Sequence, residues 1–325
     1  MRSLYLTCLA AVVILGCSNE REKHVPEAKT TQATSVTQIM ATIPTFNGNE
    51  AFTYLTKQTS FGPRNPGSPG HARCLEYLSS TLGRFADEVR LQKFEHVGYA
   101  GEKLHLTNVL AVFNPSATAR VLFCSHWDTR PRAERDEDPL RRDEPIIGAN
   151  DGASGVAVLL ELAALIKSQP PAIGVDILLV DGEDYGKEGD QTSYLLGSRY
   201  FASNLPAGYA PRYGILLDMI GDASLELPKE QNSIRYAPDI VSLVWGKARD
   251  LGIAQFLDAN GEEVLDDHIP LNQAGIKTID LIDFNYPDES NRYWHTHQDT
   301  PEHCSAGSLE AVGTVLTHVL YSERL

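Results

Sequence analysis

Apolar residues recur at helical spacing over residues 49–59 and 70–84, among them Phe52, Leu55, Leu75, Leu78 and Leu82. Between them residues 61–70, Phe-Gly-Pro-Arg-Asn-Pro-Gly-Ser-Pro-Gly, form a rigid, turn-rich connection. Residues 88–95 alternate as a half-buried strand does, and 106–113 and 121–124 are short apolar runs suited to more central strands. An apolar helix follows from Val156, then a buried strand at 175–180, a strand at 213–217, a helix at 238–251, a strand at 278–282 and a helix at 309–320. Strands alternating with helices predict an α/β fold: one globular domain whose central mixed, mostly parallel sheet is flanked by helices. In such sheets ligands gather beyond the carboxyl ends of the strands.

The N-terminal end reads differently. Arg2, the apolar run 4–15 and Ile14-Leu15-Gly16-Cys17 make residues 1–17 a lipoprotein signal peptide that resembles the bacterial lipobox. The resemblance implies a mature chain starting at an acylated Cys17, lipid-anchored in the cell envelope and facing the periplasm or exterior. Residues 18–45 are polar and poor in apolar groups, a flexible tether, which leaves 46–325 for one domain. Of five cysteines, Cys8 and Cys17 fall in the leader, and Cys74, Cys124 and Cys304 are too few and too scattered for a disulfide framework. A net charge of −15 argues against nucleic acid and anionic lipid as partners.

Candidate chemistry stands at the strand ends. The run 121–124 leads to Ser125-His126-Trp127-Asp128, 175–180 leads to Asp181-Gly182-Glu183-Asp184, 213–217 to Asp218, and 278–282, after a loop, to Trp294-His295. Residues 148–155, Gly-Ala-Asn-Asp-Gly-Ala-Ser-Gly, add Asp151 at the mouth of a glycine-rich turn before a helix. Each has a plain alternative: Asp151 as a helix N-cap, His126 as a core histidine, Asp218 as a loop cap, Glu183-Asp184 as a solvated turn. Two histidines and four acidic groups converging on one sheet edge favour a metal site, because zinc takes imidazole nitrogen and carboxylate oxygen.

These stretches in this order, with Leu217-Asp218-Met219 and His295-Thr296, resemble the zinc aminopeptidase superfamily that also contains the glutaminyl cyclases. Residues 61–70, Leu196-Gly197-Ser198-Arg199-Tyr200, Asp218-Met219-Ile220-Gly221, Asp266-Asp267-His268-Ile269-Pro270 and Trp294 before His295 look cyclase-like. The resemblance implies one Zn2+ per chain on Asp151, Asp184 and His295, with Glu183 shuttling protons, Asp218 and Asp266 holding the proton network and substrate amine, and Trp294 walling the substrate. Asp184 stands where many cyclases have Glu. In the aminopeptidase alternative, Asp151 bridges two zinc ions, and His126 and Asp218 hold the second. Two stretches depart from animal cyclases: residues 186–190 lack their Trp, and Cys124 has no nearby disulfide partner. Trp127 is taken as a substitute aromatic surface for the substrate.

The implied reaction is conversion of N-terminal glutamine of peptides or proteins to pyroglutamate with loss of ammonia; the alternatives are hydrolysis of N-terminal residues, or binding without catalysis. A monomer is expected. His297 and Asp299 are expected to orient the His295 loop, and His268 to be a structural hydrogen-bond partner. Arg130, Arg132, Arg135, Arg141 and Arg142, interspersed with acidic residues, are expected on an exposed, ion-paired loop.

Overall fold

The computed structural model describes residue 13, residues 43–187 and residues 189–325. Apart from residue 13, the expected signal peptide lies outside the described residues, as do Cys17, all but the last residues of the tether, and Glu188. The described residues from 43 onward form one compact unit.

Helix α1 (Gly48–Thr59) starts where the Asn47 side chain accepts the N–H groups of Asn49 and Glu50, and α2 (Pro69–Phe85) starts at Ser68 with proline in its first turn. Strands β1 (Glu88–Val97), β2 (Lys103–Phe113) and β3 (Arg120–His126) follow, then α3 (Ala153–Ser168), β4 (Gly174–Val180), α4 (Leu196–Ser203) and β5 (Gly214–Asp218). The chain continues through β6 (Leu227–Lys229), α5 (Gln231–Tyr236), α6 (Pro238–Leu251), β7 (Phe256–Asn260), α7 (His268–Gln273), β8 (Thr278–Ile282) and α8 (Ala306–Ser322).

The main sheet has the order β1-β2-β4-β3-β5-β8. Strands β4, β3, β5 and β8 run parallel, while β1 and β2 add an antiparallel margin. Alternation along the strands splits the core in two. Val121, Phe123, Ile177, Leu179, Ile215 and Leu217 join the larger cluster with the residues of α1, α3 and α8; Leu122, Cys124, Leu178, Val180 and Leu216 meet Phe201 and Leu271 across the other face. This is the predicted α/β domain. The elements that the pattern misses are α4, α5, α7 and the separate β6–β7 pair, all of eight residues or fewer and too short to display a period.

Register delivers the site. His126 pairs with Val180 and Asp218 with Ile282, so the turn after β4, the end of β5 and the chain leaving β8 open on one edge. Helix α3 is drawn tightly against that edge: a Cβ on Gly155 would lie 2.3 Å from the Leu217 carbonyl oxygen and 2.4 Å from Ser125 Oγ. No side chain fits there.

On the other side of α3, Glu161 is buried where its carboxylate meets the Asn47 N–H, with Glu50 nearby. Burial first, and the Glu50 charge second, push its pKa up to about 7. A carboxyl raised above its unfolded value favours the fold when protonated, so ionisation weakens the fold as pH rises from about 4.5 through about 7. Glu161→Gln should therefore stabilise the fold at pH 8 by up to roughly 3 kcal/mol, seen as a higher Tm, and change it little at pH 5. Equal effects at both pH values in a thermal melt would contradict this origin.

Candidate active site

The Asp151 loop is fixed from its backbone. Gly152 takes φ of +100°, and a Cβ there would come 2.5 Å from the Asp128 carbonyl oxygen. The buried Asp299 carboxylate accepts the N–H groups of Asn150 (2.8 Å) and Asp151 (3.1 Å), and Asn150 Oδ1 accepts the Gly221 N–H at 2.7 Å. Asp151 is thus not an N-cap: Gly152 takes that position, and no side chain caps α3. Its carboxylate turns instead to His126 Nε2 (3.2 Å) and His295 Nε2 (3.5 Å). Asp299 serves both loops, its carboxylate holding this one and its backbone N–H bonding the Thr296 carbonyl beside His295 at 3.2 Å, while His297 is held by Asp136 at 2.8 Å.

The β3 and β4 ends are tied together by Asp128, whose two carboxylate oxygens accept the N–H groups of Glu183 (3.1 Å) and Asp184 (3.3 Å). Asp184 is further held by Arg130, whose Nη1 donates to Asp184 Oδ1 at 2.8 Å. Arg130 also reaches Glu134 and the Tyr194 hydroxyl. At 1 % exposure it is a buried clamp, which corrects the expectation of an exposed loop arginine; its neighbours Arg141 and Arg142 are exposed as expected. Asp218 ends β5 and bonds His126 Nε2 at 3.1 Å. His295 has φ of +56° and Met219, just after Asp218, +49°. Both are left-handed positions that a non-glycine residue occupies at a cost, as functional sites often do.

Two buried triplets offer donor atoms within 4.8 Å of one another: Asp151, Asp184 and His295, and His126, Asp151 and Asp218. In the first, His295 Nε2 stands 3.5 Å from Asp151 and 3.4 Å from Asp184. Donors about 2.0–2.1 Å from a tetrahedral zinc are separated by roughly 3.3–3.4 Å, so the set fits. Asp184 Oδ2 is buried with no partner, an orphaned acceptor that a cation satisfies. His295 Nδ1 faces Glu134 at 3.7 Å, which sets its Nε2 toward the carboxylates.

Charge gives the same answer. Burial first, and Asp184 second, drive the Glu183 pKa well up; burial and Asp218 raise Asp266 to about 7; burial raises Asp218 despite His126. Burial also opposes the charge of Asp184, yet His295 and Arg130 hold its carboxyl below the usual range. Burial opposes protonation of both histidines, but Asp218 raises His126 well up and Asp184 raises His295. So many buried carboxylates repel one another, and a divalent cation relieves that repulsion.

A cavity of about 280 Å³ opens over these groups, with Asp151, Glu183, Asp184, Asp218, Asp266 and His295 in its floor. Trp294 forms a wall, half-buried, stacked on His295 with centroids 3.8 Å apart and edge-on to Phe284. Trp127 does not line the cavity. It is fully enclosed, stacked on His71 at 4.4 Å and bonded through Nε1 to the Thr107 carbonyl, so it is core and not substrate surface. The β3 pairing continues through the Trp127 N–H to Val180, and alternation sends its side chain away from the face His126 uses. His268 is buried near Glu230 at 3.3 Å, outside either donor triplet. Cys74, Cys124 and Cys304 are buried free thiols.

Sequence reasoning gave no role to Arg64, Asp128, Glu134 or Asp280. Arg64 is wholly buried, and its side chain donates to the carbonyls of Trp127 (3.2 Å), Ile147 (2.7 Å) and Gly148 (2.7 Å). It thereby joins the 61–70 connection to the His126 and Asp151 loops, and its place in the quoted motif was the available signal. Asp280 hides inside an apolar strand, where burial first and then Asp266 drive its pKa well up.

Comparison with known proteins agrees with this geometry. Residues 108–320 match the model of peptidase family M28. The glutaminyl cyclase of Bacteroides thetaiotaomicron, solved with N-acetylhistamine bound, superposes with a TM-score of 0.84 at 39 % identity, over 87 % of this chain and 100 % of that one. A protein of the same organism described as a leucine aminopeptidase precursor gives 0.83 at 39 % identity, over 87 % and 99 %. The Bos taurus glutaminyl-peptide cyclotransferase is 23 % identical over 290 residues, 78 % of this chain and 76 % of that protein. The chain belongs to peptidase family M28.

Proposed function

We propose that this chain is a zinc-dependent glutaminyl-peptide cyclotransferase, converting N-terminal glutamine of peptides or proteins to pyroglutamate with release of ammonia. One observation carries the choice: His126 Nε2 and Asp218 are bonded to each other at 3.1 Å, while Asp151, Asp184 and His295 stand at zinc-set spacing beside Glu183. That favours one ion per chain. Relatives named as glutaminyl-peptide cyclotransferases support the same reading. The di-zinc aminopeptidase is the second reading, because His126, Asp151 and Asp218 also converge and one similar structure is described as an aminopeptidase precursor.

Asp151, Asp184 and His295 would hold the zinc, which when bound would supply Lewis acidity toward the side-chain amide carbonyl of the substrate. The floor carboxylates receive the substrate α-amine, with Asp218 and Asp266 nearest in role and Trp294 pressing on the glutamine methylenes. Nucleophile and electrophile belong to one residue, so holding the folded rotamer supplies much of the rate. The α-nitrogen bonds to the amide carbon and closes a five-membered lactam. Glu183 accepts the proton that this nitrogen sheds and returns it to the departing amide nitrogen, which leaves as ammonia as its C–N bond breaks. A carboxyl whose pKa is driven up by burial and by Asp184 is a stronger proton acceptor than an ordinary carboxylate, as the first transfer needs.

We propose as well that residues 1–17 are a signal peptide, that Cys17 is acylated, and that residues 18–45 tether the enzyme at the envelope membrane. If so, Cys17→Ala shifts the protein from the membrane to the soluble fraction; equal membrane retention sinks the anchor.

Purified protein given an N-terminal glutaminyl dipeptide should release ammonia without free glutamine, leave a leucyl amide intact, and carry close to one zinc per chain. Leucyl hydrolysis with two zincs would establish the aminopeptidase instead. Glu183→Gln should lower kcat by about 10²–10⁴-fold while zinc content stays at the wild-type value; retained turnover removes Glu183 from the shuttle.

A further inference from the structure

The mouth of the cavity carries a cation with no obvious structural task. Arg135 lines the opening, is exposed, and places its guanidinium 4.4 Å over the Trp294 ring. Its backbone N–H faces the His295 carbonyl at 3.4 Å, which fixes where the side chain departs. The other arginines of this loop are engaged. Arg130 binds Asp184 and Glu134, Arg132 reaches the Gly186 carbonyl and the Tyr99 hydroxyl, Arg141 pairs with Glu144, and Arg142 donates to the Asp136 carbonyl. Nearby carboxylates are spent as well: Glu134 on Arg130, and Asp136 on His297. Among the described residues, the Arg135 guanidinium has no carboxylate within ion-pair distance. Across the mouth, Glu263 also lines the cavity, but it is paired with Arg235 at 3.0 Å.

A peptide whose first residue fills this cavity leads its second residue out at the mouth, where Arg135 and Trp294 stand. The floor it leaves behind is a bed of carboxylates in a chain of net charge −15, a field that repels anions. Arg135 reverses that field locally, and stacking on the indole holds the guanidinium in place while leaving its edge free to donate. We infer that Arg135 selects peptides whose second residue carries a carboxylate, either an acidic side chain or the C-terminal carboxylate of a dipeptide. This rests on the cyclase reading for the first residue only. The specificity lies one residue further along.

The test measures kcat/KM on one neutral and two charged amides, Gln-Gln-NH2, Gln-Glu-NH2 and Gln-Lys-NH2, together with the dipeptide Gln-Ala and its amide. Both ammonia and free N-terminal amino acid are monitored on the zinc-loaded protein. The wild type should prefer Gln-Glu-NH2 over Gln-Gln-NH2 by about fivefold, as befits a partly exposed ion pair, and the preference should shrink with added salt. Arg135→Gln should bring that ratio close to one, Arg135→Lys should keep part of it, and Arg135→Glu should invert it toward Gln-Lys-NH2. A role limited to propping Trp294 lowers all peptides by one factor and leaves the ratio intact, which overturns the inference. So does a wild-type ratio of one for both comparisons, Gln-Glu-NH2 against Gln-Gln-NH2 and Gln-Ala against its amide. Preference for Gln-Ala over its amide without preference for Gln-Glu-NH2 assigns the contact to the chain-terminal carboxylate; the reverse assigns it to the side chain. Free amino acid in place of ammonia sinks the cyclase reading, yet the second-residue ratio still decides the role of Arg135. Failure to turn over any peptide by either route sinks both.

Discussion

The site is governed by the cost of crowding negative charge on the floor of one largely buried cavity. Asp151, Glu183, Asp184, Asp218 and Asp266 share one cavity floor, and each ionised carboxylate there makes the next harder to ionise. The fold meets this cost unevenly. Asp184 is kept charged by Arg130 and His295, whereas burial holds Glu183 and Asp266 toward their protonated forms. Neighbouring acids with opposed pKa shifts separate a residue that binds a cation from one that carries a proton. Glu183 and Asp184 differ by one position in the chain and by the whole of that distinction.

Holding such a set together requires backbone anchors rather than packing alone. Asp128 grips the turn after β4, Asp299 grips the Asp151 turn, and Arg64 spans three carbonyls from two further loops. All three anchors are buried. Each converts otherwise unpaired backbone groups into fixed ones, so a loop-built site acquires the rigidity of the strands beside it. Gly155 completes the arrangement by letting α3 approach the sheet closely enough to bring Asp151 into reach.

Much of this could be read from the chain. Periodicity located the six strands of the main sheet and five of the helices, because long elements buried on one face must repeat. The strand-end rule then picked out His126, Glu183, Asp184, Asp218 and His295, and the glycine-rich turn before a helix added Asp151; the fold brings all six to one edge. What escaped detection depends on partners far apart in sequence. Arg130 reads as one of several loop arginines until Asp184, 54 positions later, is seen against it. Asp280 is invisible within an apolar run. Trp127 misled for a local reason: it adjoins a site residue, and in a strand adjacency means the opposite face.

The bond between His126 and Asp218 has a chemical corollary. An imidazole nitrogen can donate a proton or a lone pair, but not both at once. While Nε2 carries its hydrogen toward Asp218 it has no electrons to offer a second ion, and its other nitrogen, buried 3.7 Å from Asp128, has no hydrogen-bond partner. One-metal and two-metal chemistry on this scaffold therefore need not differ in a single ligand. They can differ in whether one histidine keeps the Nε2 proton that the Asp218 carboxylate holds in place.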